Sequence, residues 1–200
     1  MNGFRWLAVL VAMVLSAVGS NASAQVTAYA PGQGPVNSIE VGIDVRASVL
    51  GRCGFASGGA PAGSVQQADF DRTGFSKDFA VVLNCTGASR IAVSSAKGGL
   101  STGASAAGLA TRAPYTVALR LVADNGTTAA ASCDAAGLSA GGGCAFSGTA
   151  NTTNGLHLAA ASTKANGSYL RVSAPVYAGI TPLAAGQYDD TLTITVSIVP

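Results

Sequence analysis

The sequence predicts an antiparallel β-sandwich, and three observations carry that prediction. Several runs alternate apolar and polar residues with period two and are rich in β-branched side chains, the pattern of half-buried strands. Gly, Pro, Asn and Asp punctuate the intervals between those runs. Four cysteines offer covalent support to a chain in which much of the apolar content is alanine. No stretch has a clear helical period, so short strands, turns and disulfides describe two packed antiparallel sheets.

The first 24 residues read as a secretory signal peptide. Arg5 supplies a positive charge, residues 6–18 are almost wholly apolar, and Ala22-Ser23-Ala24 has the small-x-small form of a cleavage site before Gln25. The apolar run is shorter than the ~20 residues a spanning helix needs, which argues against stable membrane insertion. Residues 25–38 form a polar extension punctuated by Pro31, Gly32, Gly34 and Pro35, and residues 39–200 form the domain. Without Arg5 the chain has ten Lys and Arg against nine Asp and Glu. A balance this even, with no basic patch, gives no footprint for nucleic acid.

Within the domain the elements follow in order. Ile39, Val41, Ile43, Val45, Ala47 and Val49 alternate with polar residues and predict a long first strand. Residues 58–63 are a loop. Residues 75–85 and 90–95 are two strands separated by Thr86-Gly87-Ala88, which predicts a hairpin. Residues 115–122 alternate again, and Asp124-Asn125-Gly126 is a turn. The stretches 96–113 and 127–164 are rich in Ala, Gly, Ser and Thr, with strands that hydropathy does not place. Residues 169–176 make a further strand. In the last one, Leu192, Ile194, Val196 and Ile198 face one way, and Thr191, Thr193, Thr195 and Ser197 the other. A membrane β-barrel would also alternate, but it needs aromatic girdles, and the only tryptophan, Trp6, lies in the leader.

Cys53, Cys85, Cys133 and Cys144 behind a leader point to disulfides in an oxidising compartment. Four cysteines allow three connectivities, of which sequence order favours Cys53–Cys85 and Cys133–Cys144. A zinc site is disfavoured, because there is no C-x-x-C and His157 is the only histidine. No other cofactor signal stands out.

Catalytic signals are weak. Two G-x-S-x-G matches centre on Ser101 and Ser139, and the order Ser101, Asp124, His157 suits a hydrolase triad. That chemistry needs the serine on a sharp turn between a buried strand and a helix, and neither flank fits. Asp189 and Asp190 are neighbours, so in a strand they point to opposite faces and cannot form a facing carboxylate pair. The chain reads as a non-enzyme.

The segment Gly186-Gln187-Tyr188-Asp189-Asp190-Thr191, followed by the alternating tail, resembles the G-x-Y-x-D-T ending of the spore coat protein U domain family. Phe79-Ala80-Val81-Val82-Leu83-Asn84-Cys85 resembles that family's strand entering its second cysteine, and Tyr115-Thr116-Val117-Ala118-Leu119 its mid-chain strand. The family includes subunits of archaic chaperone–usher pili. The resemblance implies an incomplete, pilin-like immunoglobulin sandwich, completed by a donor strand. Gly186, Tyr188, Asp190 and Thr191 would be its end motif. Leu192, Ile194, Val196 and Ile198 would be one wall of the groove.

The donor would come from the N-terminal extension, possibly reaching residue 43, with Val36, Ile39, Val41 and Ile43 as groove fillers. The implied partners are a periplasmic chaperone, an outer-membrane usher and neighbouring subunits. The implied setting is a surface fibre of a Gram-negative bacterium, serving cell adhesion and biofilm. The alternative is a stand-alone secreted or tip adhesin that binds a surface or a carbohydrate.

Overall fold

β-Strands dominate the computed structural model, which describes residues 45–48, 50–104 and 107–199. The described strands are β1 (Phe75–Ala80), β2 (Ser89–Ser95), β3 (Leu100–Ser101), β4 (Arg112–Ala113), β5 (Thr116–Val122), β6 (Thr128–Asp134), β7 (Leu156–Leu158), β8 (Tyr169–Ala174) and β9 (Leu192–Ile198). One helical turn, α1 (Phe70–Thr73), and a 3-10 turn at Ala135–Leu138 are the described helical pieces. The described residues from Ser48 onward belong to one compact unit, Ser48–Pro200. The fold is all-β and antiparallel.

One sheet has the order β1-β8-β5-β6 and the other β7-β2-β9, with β3 and β4 a separate short pair. Every pairing between these strands is antiparallel. Side chains of both main sheets enter one apolar cluster. Val117, Leu119 and Leu121 of β5, Leu170 and Val172 of β8, Ile91 and Val93 of β2 and Leu158 of β7 are all buried in it. The alternation in β5 and β8 is that of strands with one face in the core. The expected strand over 169–176 ends at Ala174 because Pro175 has no N–H to continue the ladder.

The hairpin expected from residues 75–85 and 90–95 does not form. β1 pairs with β8 in one sheet, while β2 pairs with β7 and β9 in the other. Between them, residues 81–86 cross over, and other segments bond to them on both sides. Val81 and Cys85 donate to Ser168 and Ser162 carbonyls, and Val82, Asn84 and Thr86 donate to Gly59, Gly54 and Arg52. A strand that switches sheets keeps Val81, Leu83 and Cys85 pointing into the same core. Its alternation is therefore indistinguishable from that of a hairpin arm.

The turn at residues 124–126 does form, joining β5 to β6. Gly126 N–H donates to Ala123 O and Ala123 N–H to Thr127 O, with Gly126 at φ 86°. This is the three-residue loop whose last position glycine occupies without strain. β6 itself lies in the stretch that hydropathy left unplaced. Its inward residues are Ala129, Ala131 and Cys133, while Ala130 points outward, so alanine on both faces hides the period.

The strand expected over residues 39–49 is described only at 45–48. There, and at Leu50, the chain is not strand and is exposed, with Val45 at 82% and Leu50 at 86%. The leader, the extension and Val36, Ile39, Val41 and Ile43 lie outside the described residues.

Both favoured disulfides form: Cys53–Cys85 links residues 32 apart, and Cys133–Cys144 links residues 11 apart. The first locks residues 52–56 alongside 82–86, and the second ties the end of β6 to the loop that delivers Phe146. Phe146 is the largest fully buried side chain. Its carbonyl accepts from Val93 N–H, and the Val93 carbonyl accepts from Gly148 N–H, extending the β7 side of β2.

Candidate functional site

Among the described strands the last one is an edge, and its hydrogen-bond parity defines what that edge presents. β9 pairs with β2 so that Ser89 faces Ile198 and Ser95 faces Leu192. In an antiparallel ladder, opposed residues alternate between pairs that exchange backbone bonds and pairs that do not. Ala96 N–H donates to Thr191 O and Val199 N–H to Ala88 O, which fixes Thr191, Thr193, Thr195, Ser197 and Val199 as the bonded set. Leu192, Ile194, Val196 and Ile198 are then the non-bonded set, with N–H and C=O directed away from β2. The same parity turns Val93 of β2 toward Phe146 and Gly148, where its bonds are found. Among the described residues, the one bond to an outward backbone group of β9 comes from within the strand, Ser197 Oγ donating to Ile198 O at 3.2 Å.

The side chains of those four residues point inward. Leu192, Ile194 and Val196 pack against the core cluster but remain only half-buried, as does Ile198, whereas Ile91 and Val93 beside them are fully buried. Each of the four thus turns a backbone N–H and C=O away from β2 beside an incompletely covered apolar side chain. No residue of Leu192–Ile198 is charged.

The other edges differ. β7 has only three residues, and β6 turns inward only Ala129, Ala131 and Cys133. β1 places Lys77 between Phe75 and Phe79 on its inward face, a charge that discourages further pairing. β9 carries none of these blunting devices.

The residues before β9 hold its start in place. The Asp190 carboxylate is a hub: one oxygen accepts from Ser95 Oγ at 2.5 Å, Tyr115 OH at 2.8 Å and Gly99 N–H at 3.2 Å. The other accepts from Lys97 N–H at 2.9 Å and Thr191 N–H at 2.7 Å. Burial opposes its charge, but hydrogen bonds from Ser95, Tyr115 and the two N–H groups outweigh that and hold its pKa below the usual carboxylate range. Burial, then the Asp190 bond and charge, push the Tyr115 hydroxyl well above its ordinary value.

Asp189 points the other way, to Lys97 Nζ at 2.6 Å on the exposed side, so the two carboxylates diverge as neighbours in extended chain must. Tyr188 OH lies 2.9 Å from Ala184 O and 3.0 Å from Ala110 O, and its ring meets Phe70 edge-on at 5.5 Å. Gly186 sits at φ 153°, and a Cβ there would come within 2.9 Å of Thr102 Oγ1. Gly186, Tyr188, Asp190 and Thr191 are thus brought together as the anchor of one strand.

At the far end, Val199 is tied to Ala88, and Gly51 lies against Ile198, where a Cβ on residue 51 would come 3.0 Å from Ile198 Cδ1. Thr195 Oγ1 accepts from Ala150 N–H, so a loop covers part of the outer face. Sequence reasoning missed Ser95, Lys97, Gly99 and Tyr115 as partners of Asp190. They come from two distant segments, residues 95–99 and Tyr115, and nothing local marks them.

The candidate catalytic residues are not assembled. Ser101 lies in the two-residue β3, Ser139 follows the 3-10 turn and donates to Ala136 O, and His157 is exposed on β7. Asp124 accepts from the Thr163 hydroxyl and N–H, which lower its pKa, and also from Asn166 Nδ2. No group of three or more His, Cys, Asp or Glu among the described residues could hold a metal ion. No described helix is long and apolar enough to cross a membrane. What the site can do is bind extended backbone. Comparisons with protein-family models, curated proteins and solved structures give no match to this chain.

Proposed function

We propose that this chain is a secreted, non-enzymatic structural subunit of a chaperone–usher type surface fibre. In this reading its two sheets are an incomplete immunoglobulin-like sandwich, completed when a strand donated by another protein adds to β9. The observation that carries the reading is the β9 edge: the four residues whose backbone turns away from β2 are the same four whose apolar side chains are half-covered. An added strand satisfies both at once, its backbone completing the ladder and its alternate side chains covering the apolar row. Left uncovered, such an edge is an aggregation template.

Two further features support the reading. The Tyr188 hydroxyl bonds back to the carbonyl four residues upstream, the arrangement of tyrosine corners in immunoglobulin-like sandwiches. Two disulfides suit assembly in an oxidising periplasm. The first donor would be a periplasmic chaperone, and delivery to an outer-membrane usher would follow. The N-terminal extension of a neighbouring subunit, through Val36, Ile39, Val41 and Ile43, would then replace the chaperone strand.

The test moves residues 25–43 from the N-terminus to a short linker after Val199. We expect the fused form to melt roughly 10 °C higher than the chain lacking the extension, at about 2–4 °C per kcal/mol for a domain of this size. Equal melting temperatures, with both forms monomeric and soluble, would sink the reading.

A further inference from the structure

We infer that β9 also pairs with β9 of a second copy of this chain, antiparallel, about a two-fold axis through Thr195. The inference rests on the geometry of the edge and not on the identity of any donor. For two edges to bond, outward-facing residues must oppose outward-facing residues. Leu192, Ile194, Val196 and Ile198 alternate with Thr193, Thr195 and Ser197, so the allowed antiparallel registers are centred on Ile194, Thr195 or Val196, or lie further out. The Thr195-centred register alone engages all seven residues.

In that register Leu192 opposes the second copy's Ile198, and Ile194 opposes its Val196, in bonded pairs on the inner face. Thr193 opposes Ser197, and Thr195 opposes itself, on the outer face. Apolar meets apolar and hydroxyl meets hydroxyl throughout, the like-with-like pairing that favours cross-strand contacts. No charge within the strand opposes its own image. The axis makes the contact isologous, so it closes at two copies and joins the β7-β2-β9 sheets of both, as described, into one continuous sheet. A donated strand and a second copy would compete for the same edge.

The test expresses the full chain with its leader in a Gram-negative host, recovers the processed protein from the periplasm, and measures its mass by sedimentation across micromolar concentrations. We expect a dimer that dissociates on dilution, as small interfaces do. Val196→Pro removes an outward N–H that β2 does not use and should leave a folded monomer, checked by circular dichroism. Thr195→Cys should form a covalent dimer on oxidation, because self-opposed residues in a non-bonded pair lie ~4.5 Å apart at Cα. Thr193→Cys should not.

A monomer at every concentration overturns the inference, as does a dimer that survives Val196→Pro. Cross-linking by Thr193→Cys in preference to Thr195→Cys also overturns it. If the unfused chain is monomeric but a donor strand fused after Val199 still raises its melting temperature, this pairing fails while the donor-strand reading stands. If the chain dimerises through Thr195 and the fused strand gives no gain, the outcome is reversed.

Discussion

Asp190 concentrates more polar bonding than any other side chain near β9, and its replacement isolates that contribution. In Asp190→Asn an amide nitrogen would face donors from Ser95, Tyr115 and Gly99, or else from Lys97 and Thr191. Hydrogen bonds to charged groups contribute about 1.5–3 kcal/mol, and a buried donor without an acceptor costs about as much. We expect a loss of roughly 2–3 kcal/mol in urea unfolding.

The pH dependence follows from the direction of each shift. The folded pKa of Asp190 is lowered, so its contribution is present above the unfolded value of about 3.9 and is lost as pH falls through the lower folded value. Asp190→Asn should flatten the acid arm of stability. It should not abolish that arm, because Asp78 and Asp124 are lowered too. Tyr115 is raised, so its contribution is present below about pH 10 and is lost as pH climbs toward the folded value. Tyr115→Phe should shrink the alkaline loss, leaving the part due to Tyr188, which burial also raises. Stability curves from pH 3 to 11 check both signs.

At the scale of the element, β9 makes different use of adjacent residues. Thr193 N–H belongs to the set bonded to β2, and Ile194 N–H points to the open edge. Proline is tolerated in an edge strand only where its missing N–H faces outward. Thr193→Pro should therefore cost about 2–3 kcal/mol more than Ile194→Pro, from the broken bond and the disturbed ladder. Equal losses in the two variants would overturn the parity assignment on which the edge rests. The alternation of residues 191–198 was legible in the sequence, and with it the inward face of β9. Which neighbour takes up each backbone bond was not, because β2 lies about a hundred residues earlier and hydropathy does not encode register.

For the molecule as a whole, two sheets share one core of modest side chains, so covalent ties carry weight. Loop-entropy arithmetic assigns about 4 kcal/mol to the Cys53–Cys85 bridge and about 3 kcal/mol to Cys133–Cys144. The double serine variant at positions 53 and 85 should thus lose more stability than the one at 133 and 144. It should also free residues 52–56, which run beside residues 82–86. Guanidinium unfolding of the two variants under oxidising conditions gives the comparison.

The sequence by itself determined the class of fold: period-two alternation in residues 115–122, 169–174 and 192–198 admits half-buried strands and little else. The cysteine order pointed to the two bridges, and the adjacency of Asp189 and Asp190 sufficed to separate their carboxylates. Tertiary structure decided the rest. It sent β1 and β2 to different sheets, drew β6 and Phe146 out of an alanine- and glycine-rich stretch, and gathered Ser95, Gly99 and Tyr115 around Asp190. The physical reason is common to all three. Alternation encodes which face of a strand is buried, which is local, whereas pairing, crossover and hub contacts are set by backbone groups that are chemically alike at every residue. Only packing of the whole core selects among their partners, and it is packing that left β9 at the edge.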